Sequence, residues 1–161
     1  MDIERKKGLL QIVIDKISND VKIMVESIEG EHKAMKEAPS SRKTWSDTIR
    51  SQKEDLLIGK SRLLIGLNKV LSATQNLKES AVQTEVVQLG AVVETQDEGG
   101  KKEIYLMAFC GGERIEFESN EIILISYGSL LANALKGCRK NDRIRVQLPA
   151  RTRILTILDV S

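Results

Sequence analysis

Basic side chains and one tryptophan surround a single carboxylate in the stretch 42–50. Arg42, Lys43 and Arg50 are the cations, Trp45 is the aromatic residue and Asp47 is the acid. Guanidinium and ammonium groups bind phosphate, and an indole ring stacks on a base. The stretch therefore predicts contact with RNA, with nucleotide phosphates or with acidic loops of a partner. Two plainer interpretations stay open: the cations are solvated surface, and Trp45 packs at the turn of a helical hairpin.

The same stretch is a poor site for a metal ion. Mg²⁺ that bridges a protein and a substrate phosphate usually needs one or two protein carboxylates, and the cations beside Asp47 oppose its binding. His32 is the one histidine of the chain, and a single histidine cannot form a metal site. Cys110 and Cys138 lack metal-ligand spacing and are predicted to be reduced apolar side chains, with a redox pair as the other interpretation.

Patterns typical of catalysis are missing from the sequence. No nucleophile lies in a pattern with a general base, and the glycine pairs Gly99-Gly100 and Gly111-Gly112 lead into no helix, so they indicate turns rather than phosphate loops. We therefore expect no catalytic residue, no cofactor, no metal and no small-molecule substrate. We also expect that the chain is not an enzyme.

A second group of cations lies near the end of the chain, with Asp142 as the only acid among them. If the side chains share one face, they suit an acidic protein surface or a phosphate backbone. The plain alternative is that they are alternate, solvent-facing residues of strands. The basic patch that we assign consists of Lys136, Arg139, Lys140, Arg143 and Arg145, and the run continues to Arg151 and Arg153.

Apolar periodicity places the tryptophan stretch at the tip of a helical hairpin. Steps of four and three residues separate the apolar positions from Leu10 to Ile28, which is the pattern of a coiled-coil seam. Pro39 disfavours helical geometry at Ala38, so the first helix should end near Glu37. The predicted seam residues are Ile3, Leu10, Ile14, Ile17, Val21, Met24, Ile28 and Met35.

A second long helix repeats this periodicity. A hydroxyl of Ser40, Ser41 or Thr44 can cap its start. Its predicted seam residues are Leu56, Leu63, Leu67, Val70, Thr74 and Leu77, with a flanking row of Leu57, Leu64 and Leu71. Two long helices joined by a short turn predict an antiparallel coiled-coil hairpin, which we place at residues 1–79.

After Ser80 the apolar period changes to that of strands. Strands are predicted at 86–95, 103–109, 113–119, 122–126, 143–148 and 153–160, with turn signals between them. Ser129 and Gly137 should start and end one short helix. The predicted fold class is therefore α+β, with the hairpin followed by a small antiparallel sheet and one short helix at residues 80–161.

Composition narrows the class of partner. Of 161 residues, 30% are charged and 3% are aromatic, and the net charge of +2 is low for a non-specific nucleic-acid binder. No apolar run reaches the length of about 18–20 residues that spans a membrane. Charges interrupt the N-terminus too often for a secretory signal. We expect a cytoplasmic protein with no membrane partner.

Several of these motifs together resemble the GreA/GreB transcript-cleavage factors. The segment Leu89–Thr95, LGAVVET, is similar to a family strand, and Ser129–Gly137, SLLANALKG, is similar to the family helix, with Leu130 where the family has proline. Cys138–Pro149, CRKNDRIRVQLP, is similar to the turn and strand that follow, and Leu71–Leu77, LSATQNL, agrees with the end of the family hairpin. The tip is most similar to a divergent branch with a Ser-Ser segment before an aromatic residue.

The resemblance implies an FKBP-like second domain that docks on the rim of the secondary channel of RNA polymerase, with the hairpin entering the channel. The family docking loop corresponds to Tyr127, Gly128, Ser129 and Leu130. In cleaving members, tip acids hold a second Mg²⁺; here the first acid position falls on Lys43 and the second on Ser46 or, with a shift of one residue, on Asp47.

This departure at the tip implies a factor that binds polymerase and modulates transcription without strong transcript cleavage. Cleavage through Asp47 and a neighbour such as Glu37 is one alternative. A coiled-coil adaptor or homodimer unrelated to polymerase is another. A prolyl isomerase is disfavoured, because its apolar cleft needs more aromatic residues than this half of the chain contains.

Overall fold

The computed structural model describes the backbone of residues 1–37, 44–147 and 152–161, and the side chains of residues 1–36, 51–147 and 152–161. Two long helices precede a six-stranded sheet, and one short helix lies between the fourth and fifth strands. The predicted α+β fold is therefore confirmed. In chain order the elements are α1 (Ile3–Glu37), α2 (Thr44–Glu79), β1 (Val92–Asp97), β2 (Lys102–Ala108), β3 (Arg114–Phe117), β4 (Asn120–Ser126), α3 (Leu130–Leu135), β5 (Arg143–Gln147) and β6 (Thr152–Val160).

The chain divides into two compact units. One contains residues 13–72, which we call the hairpin unit, and the other contains residues 1–12 and 73–161, which we call the sheet unit. The start of α1 and the end of α2 therefore belong to the sheet unit. The domain limits predicted from sequence, 1–79 and 80–161, follow the end of α2 instead and stay a prediction.

In the hairpin unit, α1 and α2 are joined by side-chain contacts. The ammonium group of Lys60 donates to the hydroxyl of Ser27 at 2.9 Å and to the carboxylate of Glu31 at 3.2 Å. On α1, Ile14 and Ile17 are buried as the seam predicts, and Val13 is buried beside them. α1 is described as far as Glu37, and Ala38 and Pro39 lie outside the described residues, so the predicted end of the helix stays a prediction.

The predicted seam of α2 is exposed in its first half and covered in its second half. Leu56 and Leu63, which we assigned to the seam, are 48% and 61% exposed, whereas Leu57 is only 7% exposed. Of the predicted flanking row, Leu57 is therefore buried, whereas Leu64 and Leu71 are half-buried. The predicted seam is buried at Thr74 and half-buried at Leu67, Val70 and Leu77. Both rows have the seven-residue spacing of a coiled coil, so periodicity alone could not distinguish them.

The sheet unit is built on a six-stranded sheet with strand order β3-β4-β2-β1-β6-β5. Neighbouring strands are antiparallel except β2 and β4, which are parallel. β1 begins at Val92, later than the predicted start at Val86, because Val86 forms only an isolated bridge to Arg139. The other strands lie within a few residues of their predicted limits.

One face of this sheet packs against α3. Tyr105 and Met107 on β2, Ile157 on β6, and Ala132 and Leu135 on α3 belong to one buried cluster. Ser129 caps α3 by accepting a hydrogen bond from the backbone N–H of Ala132 at 3.2 Å. Beyond the helix, Gly137 has φ = 78°, a left-handed conformation that suits glycine. The predicted start and end signals of this helix are therefore confirmed.

Candidate partner-docking surface

The predicted docking residues follow the last residue of β4. The backbone N–H of Tyr127 donates to the carbonyl of Ala108 at 2.9 Å, which holds the loop against the end of β2. Ser129 is occupied as the cap of α3, and the carbonyl of Gly128 accepts from the side chain of Asn133 at 3.3 Å. Tyr127 and Leu130 are exposed, Leu130 by 60%. Gly128 and Ser129 thus shape the loop, and Tyr127 and Leu130 are available to a partner.

Phe109 adds a third exposed apolar side chain that sequence reasoning did not assign. It follows Ala108, the last residue of β2, as Tyr127 follows Ser126, the last residue of β4. Because β2 and β4 are parallel, with Ala108 paired to Ser126, both side chains leave the same edge of the sheet. We call Phe109, Tyr127 and Leu130 the β2–β4 edge surface. Only the parallel pairing, which the sequence did not indicate, brings Phe109 to this edge.

A cation restrains the aromatic ring in this surface. The ammonium group of Lys136 lies 3.6 Å from the centre of the Tyr127 ring, a cation–π contact. Such contacts contribute about 0.5–1 kcal/mol at exposed sites. Lys136 therefore belongs with the β2–β4 edge surface, where it places positive charge beside apolar groups.

Two of the remaining basic-patch residues form ion pairs with acidic side chains of the sheet unit. Arg143 pairs with Glu98 at 2.6 Å and Lys140 with Asp159 at 3.6 Å. Arg143 and Arg145 alternate along β5 with Ile144, which packs on the α3 cluster, so both arginines point to the opposite face. Such exposed ion pairs are weak, so these cations remain open to solvent.

Arg153 has a structural role. Its guanidinium group donates to Glu103 at 2.8 Å and to Asp97 at 3.4 Å, and its side chain is mostly buried. Glu103 also accepts from the hydroxyl of Tyr105 and from Lys101. These contacts join β1, β2 and β6, so this arginine of the basic run holds strands together.

The same contacts perturb two ionisations. Burial raises the pKa of Glu103, but the hydrogen bonds from Lys101, Tyr105 and Arg153 outweigh it and lower the pKa to about 2. Burial and the bond to Glu103 raise the pKa of Tyr105 to about 12. Glu103 is therefore held as a carboxylate and Tyr105 as a neutral phenol.

The tip residues lie outside this description. Arg42 and Lys43 are outside the described residues, and for Trp45, Asp47 and Arg50 only the helical backbone is described. Within the described side chains, no group of His, Cys, Asp and Glu residues is arranged to hold a metal ion. Cys110 and Cys138 are not joined by a disulfide bond. Among the described helices, none combines the length and the apolar character that crossing a membrane requires.

Comparison with known families identifies the sheet unit. Residues 82–161 match the family model described as "Transcription elongation factor, GreA/GreB, C-term". The match contains every strand of the sheet, α3 and the β2–β4 edge surface. The chain belongs to the GreA/GreB superfamily. Its membership supports a role in transcription elongation.

Solved structures similar to this GreA/GreB member include two of Gfh1. Gfh1 of Thermus aquaticus is 19% identical, with 91% of this chain and 92% of that chain covered and a TM-score of 0.38. GreA factor homolog 1 of Thermus thermophilus is 16% identical, covers 92% and 94%, and has a TM-score of 0.38. A GreA/GreB factor from Nitrosomonas europaea is 17% identical, covers 63% and 90%, and has a TM-score of 0.37. No curated protein sequence matches the chain.

The structure gives a physical reason for the GreA/GreB strand motif at Gly90-Ala91-Val92. Gly90 has φ = 81°, and a Cβ there would lie 2.9 Å from a methyl carbon of Leu77. Ala91 is fully buried in the cluster against α3. Glycine is therefore needed at the turn into β1, and a small side chain follows it because the core leaves little space.

Proposed function

We propose that this chain binds RNA polymerase at the secondary channel and modulates transcription elongation, without stimulating strong transcript cleavage. The observation that carries the proposal is the family match over residues 82–161. The β2–β4 edge surface lies within this match and exposes three large apolar side chains. Exposed apolar groups beside a cation are typical of partner-docking surfaces, which supports docking through this edge.

The lengths of α1 and α2 support insertion of the hairpin into the secondary channel. α1 has 35 residues and α2 has 36, so each spans about 52–54 Å at 1.5 Å per residue. Helices of this length suit insertion into a deep channel.

The charges at the tip support a role without transcript cleavage. Arg42, Lys43 and Arg50 oppose recruitment of Mg²⁺ by Asp47 alone. We therefore infer a modulator rather than a cleavage factor, acting without enzymatic activity of its own.

Recovery of core RNA polymerase on the immobilised chain tests docking. Leu130→Asp and Tyr127→Asp should each reduce recovery about tenfold or more, because a carboxylate would replace an apolar contact. An acid in the first turn of a helix is favourable, so Leu130→Asp should leave α3 folded. Asn120→Asp is the matched control, since it adds the same charge at the opposite end of β4. Unchanged recovery with both docking variants would refute this assignment.

A stalled, backtracked polymerase complex tests the cleavage part. Addition of the chain with Mg²⁺ should leave the length of the transcript nearly unchanged, while changing the rate at which the complex resumes elongation. Rapid shortening of the transcript that Asp47→Asn abolishes would establish the cleavage alternative instead. A chain that recovers no polymerase would favour the adaptor alternative.

A further inference from the structure

A cavity of about 310 Å³ lies within the sheet unit and shares one lining residue, Tyr127, with the β2–β4 edge surface. Its lining includes Lys6 and Leu10 from α1, Leu77 from α2, and Gln88 from the segment before β1. Val82 and Gln88 are exposed, so the cavity is reached from solvent on their side. Its volume falls at the lower end of the range for small-molecule sites, which is roughly 300–1,000 Å³.

Lys6 is the unusual residue of this cavity. It is only 4% exposed, and its ammonium group donates to the carbonyl of Val82 at 2.9 Å. An ammonium group carries three donors, and among the described residues this carbonyl is its one hydrogen-bond partner. Lys6 has no carboxylate partner within the described part of the chain, unlike Lys101, which pairs with Glu103.

A buried cation without a counter-ion destabilises a fold, since burial removes the water that solvates the charge. In agreement, burial lowers the pKa of Lys6. The lining contains no Asp or Glu among its described residues. The cavity therefore has the positive charge of a binding site and lacks the negative charge that would complete it.

The other lining residues indicate which chemical groups a ligand should have besides a negative charge. Leu10 and Leu77 provide apolar surface, and Gln88 provides an amide at the exposed side. A di- or triphosphate would leave the leucines unmatched and would need several cations. We propose that this cavity binds a small organic anion whose carboxylate pairs with Lys6 and whose apolar body contacts Leu10 and Leu77. This inference does not depend on the proposed function.

Calorimetric titration of the full chain with octanoate tests the proposal. Octanoate supplies both a carboxylate and an apolar body, whereas acetate lacks the body and hexan-1-ol lacks the charge. We expect octanoate to bind at least about tenfold more tightly than either, because each lacks one of the two contacts. Equal affinities for octanoate and hexan-1-ol, or no octanoate binding up to about 1 mM, would overturn the proposal.

Variants separate Lys6 from general effects of charge. Lys6→Met keeps most of the stem and should weaken octanoate binding at least about tenfold. Lys7→Met is the matched control, because Lys7 is the next residue of α1 and pairs with the exposed Glu4, so it should leave binding unchanged. Octanoate should also raise the melting temperature of the native chain and not that of Lys6→Met. Equal binding by Lys6→Met and the native chain would refute the assignment.

A second variant keeps the test decisive if Lys6→Met fails to fold. Ala81→Leu retains Lys6 and places a larger side chain in the cavity from its lining. It should weaken octanoate binding at least about tenfold by occupying the space of the apolar body. Full binding by a folded Ala81→Leu chain would contradict the assigned cavity.

Discussion

The hairpin unit and the sheet unit bury their side chains in different ways. Among the described residues of the hairpin unit, full burial is confined to Val13, Ile14 and Ile17 on α1 and Leu57 on α2. The sheet unit has a cluster of fully buried side chains between α3 and one sheet face, including Ala91, Met107 and Leu135. So few buried side chains leave most of each helix surface open, whereas a layered core surrounds its residues on several sides. Substitutions of one kind should therefore have different effects in the two units.

Glycine-to-alanine substitutions give the largest contrast. A Cβ on Gly111 would overlap the backbone nitrogen of Ser126 and lie 2.9 Å from the carbonyl carbon of Ile125. Backbone atoms of β4 cannot move without disturbing its pairing, so Gly111→Ala should lower the free energy of unfolding by about 3–5 kcal/mol. Gly59 in α2 has no atom within 4 Å of the added Cβ, so Gly59→Ala should raise it by about 0.5–1 kcal/mol.

Two intrinsic probes make this comparison measurable in one chain. The single tryptophan, Trp45, belongs to the hairpin unit, and both tyrosines, Tyr105 and Tyr127, belong to the sheet unit. Urea unfolding should therefore show the loss in Gly111→Ala by tyrosine fluorescence and the gain in Gly59→Ala by tryptophan fluorescence. A loss of stability in Gly59→Ala would mean that α2 is covered at Gly59 and would contradict the open surface described for this helix.

The limits of α3 could be predicted because local chemistry determines them. Ser129 caps α3 through its own hydroxyl, and Gly137 follows the helix in a left-handed conformation. The start of β1 could not be predicted from the sequence, because Val86 is apolar and β-branched like a strand residue but pairs only with Arg139. The parallel pairing of β2 and β4 also depends on contacts distant in sequence. For the same reason Tyr127 and Leu130 were found through a family motif, whereas Phe109 was missed.

The stability of the sheet unit should depend on pH through Glu103, which offers a second comparison between the two units. The folded pKa of Glu103 is about 2, below its ordinary value of 4.5. The carboxylate therefore stabilises the sheet unit above pH 4.5, and this contribution is lost as the pH falls from 4.5 toward 2. Glu103→Gln should reduce stability at neutral pH by on the order of 2 kcal/mol and should flatten its dependence over this window. Urea unfolding followed by tyrosine fluorescence, from neutral pH down to about 2.5, measures both effects.

Glu116→Gln is the control for this titration, because Glu116 is exposed on β3 and forms no ion pair with any described residue. It should keep the native acid dependence. A native chain whose sheet unit remains equally stable through the whole window would contradict the role of the contacts among Glu103, Tyr105 and Arg153.

The smallest expected effect tests which face of α2 is buried. Leu57 is 7% exposed and Leu63 is 61% exposed, although both are leucines of one helix with the same spacing pattern. Leu57→Ala should lower the free energy of unfolding by about 2 kcal/mol, since it removes buried methyl groups, and Leu63→Ala should change it by less than about 0.5 kcal/mol. Far-UV circular dichroism during urea unfolding gives both values. Equal losses would show that the hairpin buries both rows, and the larger loss in Leu63→Ala would restore the seam first predicted from the sequence.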